Sequence, residues 1–360
     1  MATRDYFSAS YPAARRAFLD AASSAGARLS SHVNPATRGP AGEELATDVA
    51  WLGPADAARV LVTISGTHGA EGFAGSGVQV GSFRAGFARE LKEGTALLAI
   101  HAINPYGFAW MRRVTEENVD LNRNFVAHDR PLPANPGYVE LADAICPSEW
   151  TEAARAAAQA RLEAYRERHG AARFQQAVSG GQYTHPDGIF YGGRAPSWSR
   201  RTLLAIAAQH LAKARSVAVI DYHTGLGPRG HGERIVVHRP ESQGLARARE
   251  WWGEITSTSL GTSTSSDVVG DGLTGLEHAL SHAEVTGMAL EYGVRPLMET
   301  LDALRADNWL HHHGARDSAE GREIVAAMRE VFYGDDDAWK EAVWEQGLEA
   351  QRRAIAGLQG

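Results

Sequence analysis

Residues 59–72 read RVLVTISGTHGAEG. An apolar run from Val60 to Ile64 breaks abruptly into Gly66, His68, Gly69, Glu71 and Gly72. The run is continuous rather than alternating, which is the pattern of a strand buried on both faces. Three more stretches repeat it: 96–102 (ALLAIHA), 216–222 (SVAVIDY) and 287–292 (GMALEY), with 234–238 (RIVVH) as a more exposed fifth candidate. Between them lie helical patterns. Residues 152–169 (EAARAAAQARLEAYRERH) are strong helix formers throughout, and 201–215 (RTLLAIAAQHLAKAR) place Leu204, Ala207, Ala208 and Leu211 on one face. Further helices are expected near 11–25, 241–258, 297–307, 318–332 and 336–357. Strands interleaved with helices predict an α/β fold, a sheet sandwiched between helices. No internal repeat or low-complexity linker divides the chain, so residues 1–360 read as a single domain.

Composition narrows the function. The chain has 360 residues, 44% hydrophobic and 22% charged, with a formal net charge of -7. An acidic balance argues against nucleic acid or an anionic membrane surface as partner, since both need concentrated positive charge. The single cysteine, Cys146, permits no intrachain disulfide and reads as a small buried hydrophobe. The N-terminus lacks the apolar core of a signal peptide, and no stretch approaches the roughly 18 apolar residues of a membrane span. A soluble cytoplasmic protein is the expectation; a homo-oligomer is left open.

The polar residues of interest follow the apolar runs, where ligands bind in open α/β sheets. His68 and Glu71 lie three apart among glycines that permit a tight turn. An imidazole and a carboxylate suit a borderline Lewis acid such as zinc, although alone the pair equally fits a solvated loop. His223 stands just past the run 216–222, in the position that His68 takes after its own run. Two histidines and a glutamate make a three-ligand site with an open fourth position, the mark of a catalytic rather than a structural zinc. Asp221 is either an acceptor that orients a ligand imidazole or a turn cap. Glu291 ends an apolar run, so it needs a task or a partner: a general base for metal-activated water, or a strand-end ion pair. Residues 111–125 (MRRVTEENVDLNRNF) gather Arg112, Arg113 and Arg123 with Asn118, Asn122 and Asn124. Guanidinium forks and amides suit a carboxylate or a developing oxyanion; the alternative is a solvated basic turn.

Taken in order, these pieces resemble the zinc carboxypeptidase superfamily. The shared pattern is His68-x-x-Glu71, the turn Asn104-Pro105-Tyr106-Gly107, Arg113, Asn122-Arg123-Asn124, His223 and the late Glu291. It spans about residues 60–295 and looks closest to a bacterial branch carrying VDLNRNF and DYHTGLGPRGHGE, not to the digestive enzymes. The resemblance implies one domain with a mixed, mostly parallel central sheet flanked by helices. It implies Zn2+ held by His68, Glu71 and His223, and Glu291 as general base and then proton donor. Arg113, with Arg112 as rival, would face the oxyanion; Asn122 and Arg123 would bind a free carboxylate. A substrate-binding tyrosine expected between the last metal ligand and the base has no match. The loop-like segment 181–193 (GQYTHPDGIFYGG) offers Gln182, Tyr183 and Tyr191 in its place, and GHGE at 230–233 adds His231 and Glu233. The implied substrate is a small molecule or short peptide with a free carboxylate. Carboxypeptidase and N-acyl amino acid deacylase are both readings, with a catalytically idle carboxylate-binding protein as a third. The run His311–His313 and the strand residue His101 read as structural.

Overall fold

A computed structural model of the chain describes residues 2–360. The four continuous apolar runs form the centre of one eight-stranded sheet. Its strands are β1 (Arg28–Arg38), β2 (Glu44–Leu52), β3 (Arg59–Ile64), β4 (Thr95–His101), β5 (Ser216–Arg229), β6 (Gly232–Val236), β7 (Thr256–Ser257) and β8 (Glu284–Gly293), in the order β1-β2-β4-β3-β5-β8-β6-β7. The central strands β4, β3, β5 and β8 are mutually parallel, β1 and β2 are antiparallel additions at one edge, and β6 runs antiparallel to β8. The expected α/β class and the mixed, mostly parallel sheet between helices are both present.

Burial on both faces explains the unbroken apolar runs. Along β5, Val217 and Val219 enter one core with Leu203 and Ile206, while Ala218, Ile220 and Tyr222 enter the other with Phe73 and Val78. The same two-residue period puts Asp221 and His223 on the face of Val217 and Val219. In register, His223 stands beside Glu291 of β8, and Ile64 at the end of β3 stands beside Asp221.

Seven helices fall close to expectation, among them Tyr11–Ser24, Glu152–His169, Ala319–Phe332 and Asp337–Gln359. Leu297–His313 runs a turn and a half past its expected end, and Gln243–Trp252 stops short. Strands β1 and β2 were not foreseen. In β1 (RLSSHVNPATR) most side chains are polar and only Asn34 is buried, as befits an edge strand. In β2 the polar Thr47 and Asp48 break the apolar pattern, yet both are buried and satisfied by the Ala102 carbonyl and by Arg15 and Ser31.

The helix Gly72–Arg84 also escaped the sequence reading. Its sequence, GFAGSGVQVGSFR, has poor helix propensity, yet every residue from Gly72 to Phe83 is buried. A helix with no polar face is a core helix, and its glycines let neighbours approach: a Cβ on Gly75 would stand 2.7 Å from Ser65 and 2.8 Å from Tyr222. No described helix is long and apolar enough to cross a membrane.

The turn carrying His68 is fixed by backbone contact. Gly69 N–H donates to the Arg113 carbonyl (3.1 Å) and Ala70 N–H to the Arg112 carbonyl (2.8 Å). A Cβ on Gly69 would lie 1.9 Å from the Gly107 carbonyl carbon. Gly69→Ala is therefore expected to destabilise the protein by about 3 kcal/mol or more, since neither backbone can yield cheaply. Denaturant unfolding of the two proteins measures this, and a loss under about 1 kcal/mol would contradict the packing described.

Candidate metal centre and its cavity

Three elements deliver three donors to one point beyond the carboxyl end of β3 and beside the middle of β5. His68 precedes the short helix Gly69–Glu71, which carries Glu71, and His223 lies within β5. All three side chains are buried, and their donor atoms lie within 4.8 Å of one another. His68 Nδ1 is 2.9 Å from Glu71 Oε1, His223 Nδ1 is 2.9 Å from Glu71 Oε2, and the two Nδ1 atoms are 3.2 Å apart. The opposite ring nitrogens are committed elsewhere: His68 Nε2 to Asp120 Oδ1 at 3.2 Å, His223 Nε2 to Asp221 Oδ2 at 2.9 Å.

This arrangement fits a metal ion. Imidazoles that donate Nε2–H to carboxylates present bare Nδ1 lone pairs, and here both face each other and a carboxylate. Three electron-pair donors at these separations repel unless a cation or protons lie among them. Ligands on a tetrahedral zinc sit about 3.3 Å from one another, close to the separations here. Among the described residues, no other group of three His, Cys, Asp or Glu side chains converges in this way, the run His311–His313 included.

The electrostatics agree. Burial alone would raise the Glu71 carboxyl, but His68 and His223 hold it far below the usual carboxylate range. Burial would lower His223, but Asp221 and Glu71 push it well above an ordinary histidine. Glu291, at the end of β8, is pushed up from 4.5 to about 8 by burial first and by Glu71 second. Its one hydrogen bond is to the Leu226 N–H, at 3.0 Å.

The arginines divide. Arg113 lines the cavity, with Nε on Asp120 Oδ2 (3.1 Å) and Nη1 on Glu71 Oε1 (2.9 Å). Arg123 lines it too, with Nη2 on the Ser179 carbonyl (2.6 Å), Nη1 3.4 Å from Asp120 Oδ2, and its buried Nε without a partner. Asn122 accepts the Gly272 N–H at 3.0 Å and also faces the cavity. Arg112 does not. Its expected role beside Arg113 is corrected: Nε pairs with Asp307 Oδ2 (3.0 Å) and Nη2 with Asn118 Oδ1 (3.2 Å), away from the cavity. The hydrogen bonds of the Gly69 and Ala70 N–H groups to the Arg113 and Arg112 carbonyls fix this segment so that Arg113, not Arg112, points inward.

Two further expectations are corrected. Tyr183 lies outside the cavity lining: its hydroxyl donates to the Arg123 carbonyl (2.6 Å), and the segment 181–193 buttresses the Asp120–Arg123 turn, sending only Phe190 into the cavity. His231 is exposed on the β5–β6 turn, outside the cavity lining. Glu233 holds Thr256 (2.6 Å) and Thr264, anchoring a loop at the mouth. His101, whose Nε2 meets Ser76 at 3.0 Å, is a core residue as read from sequence, though its Nδ1 lacks a partner.

Asp120 went unnoticed in the sequence. It is fully buried and serves His68, Arg113 and Arg123, whose charges hold its carboxyl well below its ordinary range against the pull of burial. Its place in VDLNRNF, an acidic residue between Arg113 and Arg123 in the sequence, was the one available signal.

The cavity beyond these groups has a volume of about 380 Å³. Its remaining walls are largely aliphatic and aromatic, and no tyrosine is among its described lining residues.

The family described as "Protein of unknown function (DUF2817)" matches residues 7–346, and the chain belongs to it. No curated protein sequence matches the chain. Among solved structures, bovine thrombin-activatable fibrinolysis inhibitor in complex with tick carboxypeptidase inhibitor is similar at 10% identity, covering 98% of this chain and 97% of that one, with a TM-score of 0.52. Carboxypeptidase A from Helicoverpa armigera matches at 12% identity over 89% and 73% of the two chains (TM-score 0.49), and the succinylglutamate desuccinylase from Chromobacterium violaceum at 16% over 88% and 73% (TM-score 0.38). The first match shows a shared fold over nearly the whole of both chains. The resemblance to zinc carboxypeptidases thus holds for the architecture.

Glu291 gives the metal-free protein a definite pH dependence. A carboxyl whose folded pKa is raised stabilises the fold fully below its unfolded value of 4.5, and that contribution disappears as pH rises through about 8. Glu291→Gln removes the loss, so the metal-free variant should gain stability over the parent as pH rises from 4.5 through about 8. Parallel denaturant titrations across that range check it, and parallel pH profiles for the two proteins would refute it.

Proposed function

We propose that this chain is a zinc-dependent hydrolase that cleaves an amide bond in a small carboxylate-bearing substrate. The observation that carries this reading is the convergence of His68 Nδ1, Glu71 and His223 Nδ1 on one point beside the Glu291 carboxyl, which among the described residues pairs with no cation and accepts only the Leu226 N–H. Bound by His68, Glu71 and His223, a zinc ion supplies Lewis acidity that sharpens the acidity of water and polarises a carbonyl oxygen. Asp120 and Asp221 hold the two imidazoles in the tautomer that presents Nδ1. Glu291 takes a proton from the attacking water and passes it to the departing nitrogen. The water oxygen joins the carbonyl carbon, the C–N bond breaks, and a carboxylic acid and an amine leave. Arg113 keeps Nη2 free while Asp120 and Glu71 fix its other nitrogens, so it meets the developing oxyanion without reorganising. Arg123, a buried cation with a spare Nε, and the Asn122 amide receive the substrate's carboxylate.

Of the two chemistries in this class, N-acyl amino acid deacylation is favoured over carboxypeptidase action by the cavity lining, which offers no tyrosine. A catalytically idle binding protein is disfavoured because the donors and the candidate base are all in place.

Purified protein should contain close to one zinc per chain by elemental analysis, and chelation should abolish amide hydrolysis until zinc is restored. His68→Ala should lose the metal. Glu291→Gln should keep it and lose turnover by several orders of magnitude. A metal-free protein that zinc does not activate, or a Glu291→Gln variant of near-normal rate, would remove this reading.

A further inference from the structure

The cavity has chemically different ends, with the metal cluster between them. Contacts lead from Arg123 Nη1 to Asp120 (3.4 Å), from Asp120 to His68 (3.2 Å), and from His68 to His223 (3.2 Å). The next residue, Thr224, donates its hydroxyl to the Phe332 carbonyl (2.6 Å), and the Gly225 carbonyl accepts from Thr300 (3.4 Å) on the helix Leu297–His313. That helix turns one face to the cavity. Leu297, Met298, Leu301 and Leu304 line it at spacings of one, four and seven, joined by Leu226 and Phe332. The wall begins beside the candidate base, because the Leu226 N–H is the hydrogen-bond partner of Glu291.

Among the described residues, none fully covers the outer part of this wall. Leu297 is 50% and Met298 40% exposed, although both are apolar and both line the cavity. None of the six residues is charged. The cavity's arginines lie elsewhere: Arg113 and Arg123 on Asp120, and Arg166 on the helix Glu152–His169, which packs against the helix Ala171–Ser179 whose last carbonyl holds Arg123.

We infer that the scissile amide carries a large apolar acyl group, so that the substrate is a carboxylate-bearing amine acylated with an alkyl or arylalkyl chain. This inference rests on the hydrolase reading. With the carboxylate at Arg123 and the carbonyl beside Glu291, the amine portion occupies the arginine end and the acyl portion extends along Leu226, Leu301 and Leu304 toward Met298. A dicarboxylic acyl group would bring its second carboxylate against a wall without a cation. An aminoacyl group, as in a peptide, would bring an ammonium to a wall of six uncharged side chains, and Glu291 beside it is already assigned to the water. An aliphatic chain leaves no polar group unpaired there.

The test keeps the amine constant as leucine and varies the acyl group: acetyl, butanoyl, hexanoyl and octanoyl, with N-succinyl-leucine and leucyl-leucine as rivals. Turnover is measured with the zinc-loaded protein, and affinity by calorimetry on zinc-loaded Glu291→Gln. Both should rise about threefold per methylene until the chain reaches the mouth. Succinyl should fall below butanoyl, and the dipeptide below hexanoyl. Met298→Lys, at an exposed position that folding tolerates, should lower the octanoyl-to-acetyl ratio at least tenfold. A flat ladder, or a preference for succinyl or the dipeptide, overturns the inference and leaves the hydrolase reading standing. A rising ladder in affinity with no cleavage shows an apolar acyl-binding site but removes the hydrolase reading, and with it the assignment of that acyl group to a scissile amide. Neither binding nor cleavage of any member overturns both.

Discussion

Two imidazoles and a carboxylate that turn their lone pairs to one point repel one another, and much of the fold around them opposes that repulsion. Asp120 and Asp221 grip the far nitrogens, the first from a turn after β4 and the second from within β5. Thr67 donates to Asp221 at 2.8 Å, and Arg113 and Arg123 balance Asp120. Buried carboxylates are costly unless paired, so each acidic residue here requires its cation, and each cation fixes a piece of backbone. Arg123 ties the Asp120 turn to Ser179, while Tyr183 and Phe190 support the same turn from the other side. The chemistry and the packing of this corner are therefore one network, and loosening any member releases the others.

The sheet makes the convergence possible. Parallel strands β3, β5 and β8 run side by side, with the end of β3 level with Asp221 and Ala289, so residues far apart in sequence reach one rim. His223 and Glu291 are direct neighbours in the β5–β8 ladder, which places the candidate base next to a candidate ligand by strand register alone. His68 arrives by a different route, through a turn that is tight because Gly69 lies against Gly107. Behind this turn, the buried helix Gly72–Arg84 holds the end of β3 against β5, with Gly75 touching both Ser65 and Tyr222.

The cavity's polarity divides along the same line. Charged groups gather where the 111–125 segment enters, because Asp120 collects them. The helix Leu297–His313 contributes an apolar face, two of whose residues remain open to solvent. A pocket that fixes one end of a ligand by charge and the other by burial separates orientation from affinity, a usual division in small-molecule sites.

The amino-acid sequence by itself determined the α/β class, the four buried central strands and the three converging donors. Apolar runs doubly buried in a parallel sheet need no partner's identity to be recognised, and His68, Glu71, His223 and Glu291 each sit at or just beyond such a run. Only the tertiary structure decided which of Arg112 and Arg113 faces the cavity, because that choice depends on the Gly69–Gly107 contact and on Asp307, 195 positions away from Arg112. It likewise turned Tyr183 into a buttress and left His231 in solvent. The strands β1 and β2 and the glycine-rich helix Gly72–Arg84 stayed hidden for the same reason. Their local sequences lack the propensity or pattern of their final form: β1 is held by its ladder to β2, and β2 and the helix by burial against partners more distant in the chain.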